Sequence, residues 1–140
     1  MTRALVNSGA CGADLVAQTV AGALGLRRRI ILPFDRQRFR QTSVVDRPGN
    51  WGPIYDRLVQ DLDAAGDVIT LADTGDDTES YALTNMAILD HARDIGATLR
   101  RDVLAVLVWE GSSRGPDDLT AAFGHVARKR GVRLVEISTR

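Results

Sequence analysis

The chain has 140 residues, 44% of them apolar and 26% charged, which suits one globular domain with one core. Its 18 basic residues balance its 18 acidic residues, and a net charge of zero disfavours nucleic acid as the main partner. The single cysteine excludes an internal disulfide and fits a reducing cytoplasm, and the longest apolar run, 103–109, is too short to span a bilayer.

The first predicted strand, 4–6, leads through a glycine-rich turn into a helix over 14–24. In this helix Val16, Val20 and Ala23 recur at helical spacing, which predicts that they form its buried face. A second strand is predicted at 30–32, and the arginines at 27–29 before it are interpreted as a solvated face. Residues 33–50 show no clear period and are predicted as an ordered loop, which at this length is often functional.

The remaining elements continue the alternation of strand and helix. The pattern predicts a helix from about Trp51 to Gly66, a strand over 68–71, a helix from Asp76 to a cap at Gly96, a strand over 103–109, a helix over 119–130 and a strand over 132–137. The run 103–109 is continuously apolar, as expected of a strand covered on both faces. We therefore predict a three-layer α/β/α fold, with about five mostly parallel strands and about four helices, as one domain over 1–140.

The turn after the first strand has the residues of an anion site. Gly9 and Gly12 permit positive φ and the close approach of a ligand. The helix that begins near Ala13 offers unpaired N–H groups and the positive end of its dipole, and Ser8 adds a hydroxyl. Asp14 would compete with an anion, so it either binds a ribose hydroxyl or favours the start of the helix. The alternative is a tight turn that holds no ligand.

Other polar residues follow the carboxyl ends of strands, where parallel sheets bind ligands. Glu110, directly after 103–109, suits a ribose or acid/base chemistry, or is an exposed loop carboxylate. Asn85 lies on an apolar helix face and binds either a loop carbonyl or a ligand. Arg40, with Arg36 and Arg38, belongs to a segment that reaches the same edge and suits phosphate.

Two further kinds of chemistry are weighed and not favoured. Cys11 stands at a helix N-terminus, where a thiolate is favoured, but no histidine is near in sequence, and a small buried cysteine is the simpler interpretation. The acidic residues at 73–79 are explained by capping and solvation, so no metal site is predicted. No cofactor is required, although a nucleotide-type ligand fits the turn.

Six short stretches in register resemble the SLOG superfamily, named after the Smf/DprA-type DNA-processing proteins and the Lonely Guy proteins. The stretch Val6-Asn7-Ser8-Gly9-Ala10-Cys11-Gly12-Ala13-Asp14 is similar to the family's SGgAxGaD turn. The others are Leu32-Pro33-Phe34; Phe39 with Ser43-Val44; Trp51; Tyr81 with Asn85, similar to a YxxxN helix; and Val108-Trp109-Glu110-Gly111 with Leu119-Thr120-Ala121, similar to the family's second ligand loop.

The resemblance implies a Rossmann-like fold that binds nucleotides or nucleotide-derived ligands. The most similar members are the stand-alone or effector-fused domains of bacterial signalling and conflict systems. Together with the turn, it predicts a set of ligand-binding residues: Ser8, Gly9, Ala10, Cys11, Gly12, Ala13, Asp14, Arg40, Asn85, Glu110, Gly111 and Thr120.

The sequence departs from the family in two places. Lonely Guy phosphoribohydrolases have PGGxGTxxE, whereas residues 115–123 here read GPDDLTAAF, with Asp117 and Asp118 in place of glycines and no glutamate. This argues against hydrolase activity. Family domains also usually have a strand and a helix before the turn. Either the chain is truncated, or its first strand pairs with a different neighbour, or a partner supplies the edge.

Three hypotheses follow, each from a different functional class. The first is a cytoplasmic binding module that senses or holds a nucleotide-type ligand, as a homo-oligomer or with an effector partner and without a membrane. The second is an enzyme similar to phosphoribohydrolases that cleaves a nucleotide's N-glycosidic bond, with Glu110 or Asp14 as the acid. The third is a domain that contacts single-stranded DNA, which the zero net charge disfavours.

Overall fold

The computed structural model describes residues 3–109 and 119–139. Its strands and helices alternate along the chain: β1 (Ala4–Asn7), α1 (Ala13–Ala23), β2 (Arg27–Leu32), α2 (Arg36–Ser43), α3 (Trp51–Ala64), β3 (Val68–Thr70), α4 (Asp77–Leu99), β4 (Leu104–Trp109), α5 (Leu119–Lys129) and β5 (Arg133–Ser138). All paired strands are parallel. The predicted α/β class with parallel strands, consistent with a Rossmann-like fold, is confirmed.

The strands form two sheets rather than the one sheet that the alternation predicts. One sheet has the order β1-β2-β3, and the other consists of β4 and β5. Strands β2 and β3 end together, with Leu32 beside Thr70, and β1 ends close to them, with Asn7 beside Ile30 of β2. The segments that follow these three strands therefore meet at one edge, which we call the carboxyl edge.

Two buried clusters hold the molecule together, one under each sheet. The first fills the space between β2, α1, α2 and α3, and its members include Leu15, Ile30, Leu32, Phe34, Phe39, Tyr55 and Leu58. The second joins Leu89 of α4 to Ala105 of β4 and Ala127 of α5. Helix α4 contributes Tyr81 to the first cluster and Leu89 to the second, so it connects the two sheets. No helix within the described ranges is long and apolar enough to cross a membrane.

Helix α2 lies within 33–50, the segment predicted as a loop, so the described residues contain five helices instead of about four. Asp35 caps it, because its carboxylate accepts hydrogen bonds from the backbone N–H groups of Gln37 and Arg38. Phe39 is its one buried residue. A single apolar residue in eight gives no periodic signal, which explains why the pattern does not predict this helix.

The C-terminal end of α4 also differs from the prediction. The helix continues past Gly96 to Leu99, and the residue in the left-handed conformation is Arg100, with φ 55°. The chain then turns back, and the N–H of Arg101 donates to the carbonyl of Gly96 at 2.8 Å. A Cβ atom on residue 96 would lie 2.8 Å from the carbonyl oxygen of Arg101. Gly96 therefore permits a close backbone contact and does not cap the helix.

The predicted burial of α1 and β4 is wrong. Val16 and Val20 are 53% and 52% exposed, and α1 buries Leu15, Gln18 and Ala21 instead. Strand β4 alternates between exposed and buried residues, so residues 3–109 and 119–139 cover it on one face only. Both elements carry more apolar surface than this fold covers.

The arginines before the second predicted strand belong to β2 and are not a solvated face. At the amino end of the sheet, Asp67 accepts hydrogen bonds from Arg29 at 2.9 and 3.0 Å and from Arg27 at 3.2 Å. Arg29 also lies 2.9 Å from Nδ1 of His91 on α4. Burial raises the pKa of Asp67, but the hydrogen bonds and charges of the two arginines outweigh burial and hold the pKa below its usual range.

Candidate functional site

The two glycines of the turn have different structural roles. Both have positive φ, 73° at Gly9 and 87° at Gly12. Gly9 is buried, and a Cβ atom there would lie 3.5 Å from Ile30 and 3.7 Å from Leu58. A Cβ atom on Gly12 would meet nothing within 4 Å. Gly9 therefore seats the turn on the core, whereas Gly12 faces open space at the start of α1.

Asn7 and Gln18 shape the turn, although the sequence pattern does not mark either as a site residue. Oδ1 of Asn7 accepts hydrogen bonds from the N–H of Gly9 at 3.0 Å and from Nε2 of Gln18 at 2.9 Å. Nδ2 of Asn7 donates to the carbonyl of Asp14 at 3.1 Å. Gln18 is 1% exposed and also donates to the carbonyl of Arg29. No spacing in the sequence marks this role, because the partners of Gln18 lie on other elements, Asn7 on β1 and Arg29 on β2.

The carboxylate of Asp14 binds backbone N–H groups of the turn. Oδ2 accepts a hydrogen bond from the N–H of Ala10 at 3.3 Å. Loss of solvation raises the pKa of Asp14, and the N–H groups of Ala10 and Ser8 oppose this effect without cancelling it. The N–H of Cys11 is also used, because it donates to the carbonyl of Ser43 at 2.9 Å.

Three backbone N–H groups at the start of α1 have no acceptor among the described residues and are available to an anion. Among the hydrogen bonds of residues 3–109 and 119–139, none uses the N–H groups of Gly12, Ala13 or Asp14. These donors lie at the positive end of an 11-residue helix, beside the space that Gly12 leaves open. Such an end attracts phosphate or another anion.

Polar and aromatic side chains continue the carboxyl edge from the turn to α4. Ser43, whose carbonyl holds the turn, lies 3.3 Å through its Oγ from the hydroxyl of Tyr81. Tyr81 contacts Phe34 edge to face, with 5.8 Å between ring centroids. The guanidinium of Arg38 lies 4.0 Å from the Phe34 centroid and pairs with Asp73 at 2.6 Å. This edge therefore combines a positive helix end, hydroxyl groups and ring faces.

The other predicted ligand-binding residues lie in different places. Arg40 forms a two-point ion pair with Asp56 of α3 at 2.8 and 2.9 Å. Asn85 is half-buried and lies one helical turn after Tyr81. Thr120 lies in the first turn of α5. Glu110 and Gly111 are outside the described residues, so their predicted roles stay predictions.

Cys11 is half-buried and faces Asp46, with 3.9 Å between Sγ and Oδ1. Burial and the Asp46 carboxylate raise the pKa of the thiol. This environment favours the thiol over the thiolate and does not suit a nucleophile. Within the described part of the chain, no group of three or more metal-ligating side chains lies together.

Comparison with protein-family models, with curated proteins and with solved structures gives no match.

Proposed function

We propose that this protein binds a nucleotide or a nucleotide-derived small ligand at the carboxyl edge and acts as a ligand sensor rather than as an enzyme. The unpaired N–H groups of Gly12 and Ala13 beside open space carry the proposal, because they form a ready site for a phosphate group. The hydrogen bonds of Asn7 to Gly9 and Gln18 support the proposal, because they hold the turn in one conformation and a rigid turn loses little entropy on binding.

The rest of the ligand extends from the turn toward α4. Tyr81 and Ser43 offer hydroxyl groups to a ribose or a base. The guanidinium of Arg38, beside the ring of Phe34, is paired with Asp73 and Asp77, so it would bind a phosphate only by exchanging these partners. The resemblance of six motifs to the SLOG superfamily points to the same ligand class. It also supports an effector partner in a bacterial signalling or conflict system as the recipient of the signal.

A nucleotide panel tests the proposal on the full chain. Nucleoside 5′-mono- and diphosphates, cyclic nucleotides and inorganic phosphate are screened by thermal shift, and affinities are then measured by calorimetry. We expect at least one nucleotide to stabilise the protein and no free base to be released in the same samples. Release of base would favour N-glycosidic cleavage instead, and no stabilisation by any member of the panel would contradict binding.

Two glycine variants locate the site, because each adds a Cβ atom in open space and only one of them lies at the turn. Gly12 and Gly25 both have positive φ, and a Cβ atom at either would meet nothing within 4 Å. Gly12→Ala carries added backbone strain, because Gly12 has φ 87° and ψ −129°, a conformation that residues other than glycine rarely adopt, so the melting temperature of each variant is measured beside its affinity. We expect only Gly12→Ala to weaken nucleotide binding, by about tenfold, because its Cβ atom and altered backbone would lengthen one charged hydrogen bond to the phosphate. Equal losses in both variants would place the ligand elsewhere.

A further inference from the structure

An apolar groove lies between α1 and α3, and we call it the α1/α3 groove. Its volume is about 200 Å³, and its lining is apolar except for one threonine: Leu15, Val16, Thr19, Val20, Trp51 and Ile54. Val16, Val20 and Ile54 are 53, 52 and 37% exposed. Large aliphatic side chains that are exposed together in a concave surface indicate a binding site for an apolar group.

The lining favours an alkyl chain or a phenyl ring over a nucleobase. Among these lining residues, which all belong to the described part of the chain, both polar side-chain donors are already used. The hydroxyl of Thr19 donates to the carbonyl of Leu15 at 2.8 Å, and the indole N–H of Trp51 donates to the carbonyl of Pro48 at 3.2 Å. A nucleobase in the groove would lose the solvation of its polar edge with few hydrogen bonds in return.

One end of the groove opens beside the turn. Val16 lies one helical turn after Gly12, and its N–H donates to the carbonyl of Gly12 at 3.0 Å. Residues four apart share a helix face, so the apolar wall begins directly below the open space at Gly12. Trp51, the first residue of α3, belongs to the facing wall. A phosphate bound to the N–H groups of Gly12 and Ala13 would therefore place an attached group in the groove.

Arg47 adds a positive charge at this end. It lies between Asp46, whose Oδ1 is 3.9 Å from Sγ of Cys11, and Pro48, whose carbonyl holds Trp51. Burial and Asp46 raise the pKa of the Cys11 thiol, and the charge of Arg47 acts in the opposite direction. Arg47 is exposed, and within residues 3–109 and 119–139 no hydrogen bond or ion pair uses its guanidinium.

Arg47 differs in this respect from the arginines of α2. Arg36, Arg38 and Arg40 each pair with a carboxylate, so each would have to give up a partner to bind an anion. Arg47 would give up none. The charge at this end of the groove therefore complements an anionic head group, whereas the walls of the groove suit an apolar body.

The polar part of the carboxyl edge lies on the other side of the turn. Nη1 of Arg28 donates to the carbonyl of Gln18 on α1 at 3.4 Å, whereas the next residue of β2, Arg29, contacts His91 on α4. Successive residues of a strand point to opposite faces of the sheet, so α1 and α4 lie on opposite faces. A phosphate at the turn thus has the apolar groove on one side and the hydroxyl of Tyr81 on the other.

We propose that the nucleotide-derived ligand carries an apolar group on its phosphate, that this group binds in the α1/α3 groove, and that Arg47 contacts the phosphate. The ligand class is then a nucleoside 5′-phosphate ester with a short alkyl or phenyl substituent. At roughly 30 Å³ for each water-sized group, the groove has room for about six or seven carbon atoms. This inference rests on the proposed function, because both place a phosphate at the turn.

Two simple phosphates test the groove. Hexyl phosphate and methyl phosphate have the same charge and differ only in the alkyl chain. Their affinities for the full chain are measured by calorimetry, below the concentration at which hexyl phosphate forms micelles. We expect hexyl phosphate to bind about tenfold more tightly, because its chain leaves water. The hexyl and methyl esters of adenosine 5′-monophosphate should bind in the same order. Equal affinities of the hexyl and methyl forms would overturn the inference.

Two pairs of variants separate the apolar contact from the charged one. Ile54→Ala should reduce the preference for hexyl phosphate and leave the affinity for methyl phosphate unchanged. Met86→Ala, at a similarly exposed apolar residue of α4, should change neither. Arg47→Gln should weaken both phosphates by about tenfold and keep their ratio, whereas Arg93→Gln, at an exposed arginine of α4, should weaken neither. A preference for hexyl phosphate that survives Ile54→Ala undiminished would overturn the inference.

The same measurements distinguish failure of this inference from failure of the proposed function. If nucleotides and methyl phosphate bind and the hexyl forms bind no more tightly, the apolar group is wrong and the nucleotide site stands. If no phosphate of either kind binds, both proposals are wrong.

Discussion

Asp14 places a carboxylate against the same backbone turn that would receive a ligand. Its pKa is raised, because lost solvation disfavours the charged form more than the N–H groups of Ala10 and Ser8 favour it. A partly desolvated carboxylate at this turn costs stability while it is ionised.

Asp14→Asn is expected to stabilise the protein at neutral pH. Because the folded pKa lies above the unfolded value, the unfolded state loses its proton first as pH rises, and the free energy of unfolding falls across that interval. The variant removes this loss and keeps an oxygen that accepts from Ala10. We expect its melting temperature to exceed the wild type's by about a few degrees at pH 7.5, with the difference shrinking toward pH 4.

The control for this variant is Asp61→Asn, which removes an exposed carboxylate of α3 far from the turn. It should leave the melting temperature unchanged at both pH values. Destabilisation of Asp14→Asn at pH 7.5 would contradict the prediction, because it would show that the ionised carboxylate supports the fold.

The reactivity of the Cys11 thiol depends on the charges near the same turn. Its thiol pKa is raised by burial first and by the Asp46 carboxylate second. Asp46→Asn should lower the thiol pKa and speed alkylation by iodoacetamide near pH 7.5, by up to about tenfold if the pKa falls by one unit. Asp61→Asn is the control, because it also removes one negative charge but not the carboxylate that faces Cys11. Equal alkylation rates in all three proteins would contradict the contact between Cys11 and Asp46.

At the scale of elements, the short helix α2 decides the shape of the carboxyl edge. It places Ser43 against the turn and Arg38 beside Phe34. Asp35→Ala removes the cap at its start and should cost about 1 kcal/mol in the free energy of unfolding measured in urea. Gln37→Ala, on an exposed position of the same helix, should cost much less. Equal effects of the two substitutions would show that the cap does not stabilise α2.

Most elements could be predicted from the sequence because their apolar residues recur at the right spacing and glycines follow them. Helix α2 could not, since Phe39 alone anchors it. The buried face of α1 could not be predicted either. Its one polar residue, Gln18, can be buried because it forms hydrogen bonds with Asn7 and Arg29, and the spacing of residues in the sequence does not reveal these bonds. In both cases tertiary contacts override the local pattern.

Part of the candidate site could also be predicted from the sequence, and part could not. The glycines and the helix start after β1 could be located from the sequence, and the structure places unpaired donors there. The sequence did not reveal that Arg40 pairs with Asp56 on α3, or that Arg38, at the edge, pairs with Asp73 and Asp77. Which of several nearby arginines faces a site depends on the partners that other elements bring, and a sequence pattern does not contain this information.

At the scale of the whole molecule, stability and the candidate site lie at opposite ends of the first sheet. The ion cluster of Asp67, Arg27 and Arg29 lies at the amino end and ties β2 to β3, and His91 adds α4. The turn and its unpaired donors lie at the carboxyl end. This separation allows one end to hold the sheet together while the other keeps donors open for a ligand.

Asp67→Asn should destabilise the protein by about 3 kcal/mol at pH 7, because it leaves two half-buried guanidinium groups without their carboxylate. The pKa of Asp67 is lowered on folding, so its contribution is present above the unfolded pKa and is lost as pH falls through the folded value. Wild type and variant should therefore converge in strong acid, as expected for Asp14→Asn, but at neutral pH Asp67→Asn is less stable than the wild type whereas Asp14→Asn is more stable.

The effect of Asp67→Asn is compared with the loss of an exposed ion pair. Asp63 pairs with Arg36 at 3.4 Å, and both side chains are about half exposed. Asp63→Asn should change the free energy of unfolding by less than about 1 kcal/mol. A loss at Asp67→Asn as small as this would show that the amino-end cluster does not hold the sheet.

A nuclear magnetic resonance titration with the nucleotide panel tests the central claim, that a nucleotide binds at the turn between Ser8 and Asp14. We predict that the largest backbone amide shifts fall on Gly12 and Ala13, with smaller shifts near Ser43 and Tyr81, and that inorganic phosphate alone reproduces the shifts at the turn. Shifts centred elsewhere, or none with any nucleotide, would contradict the claim.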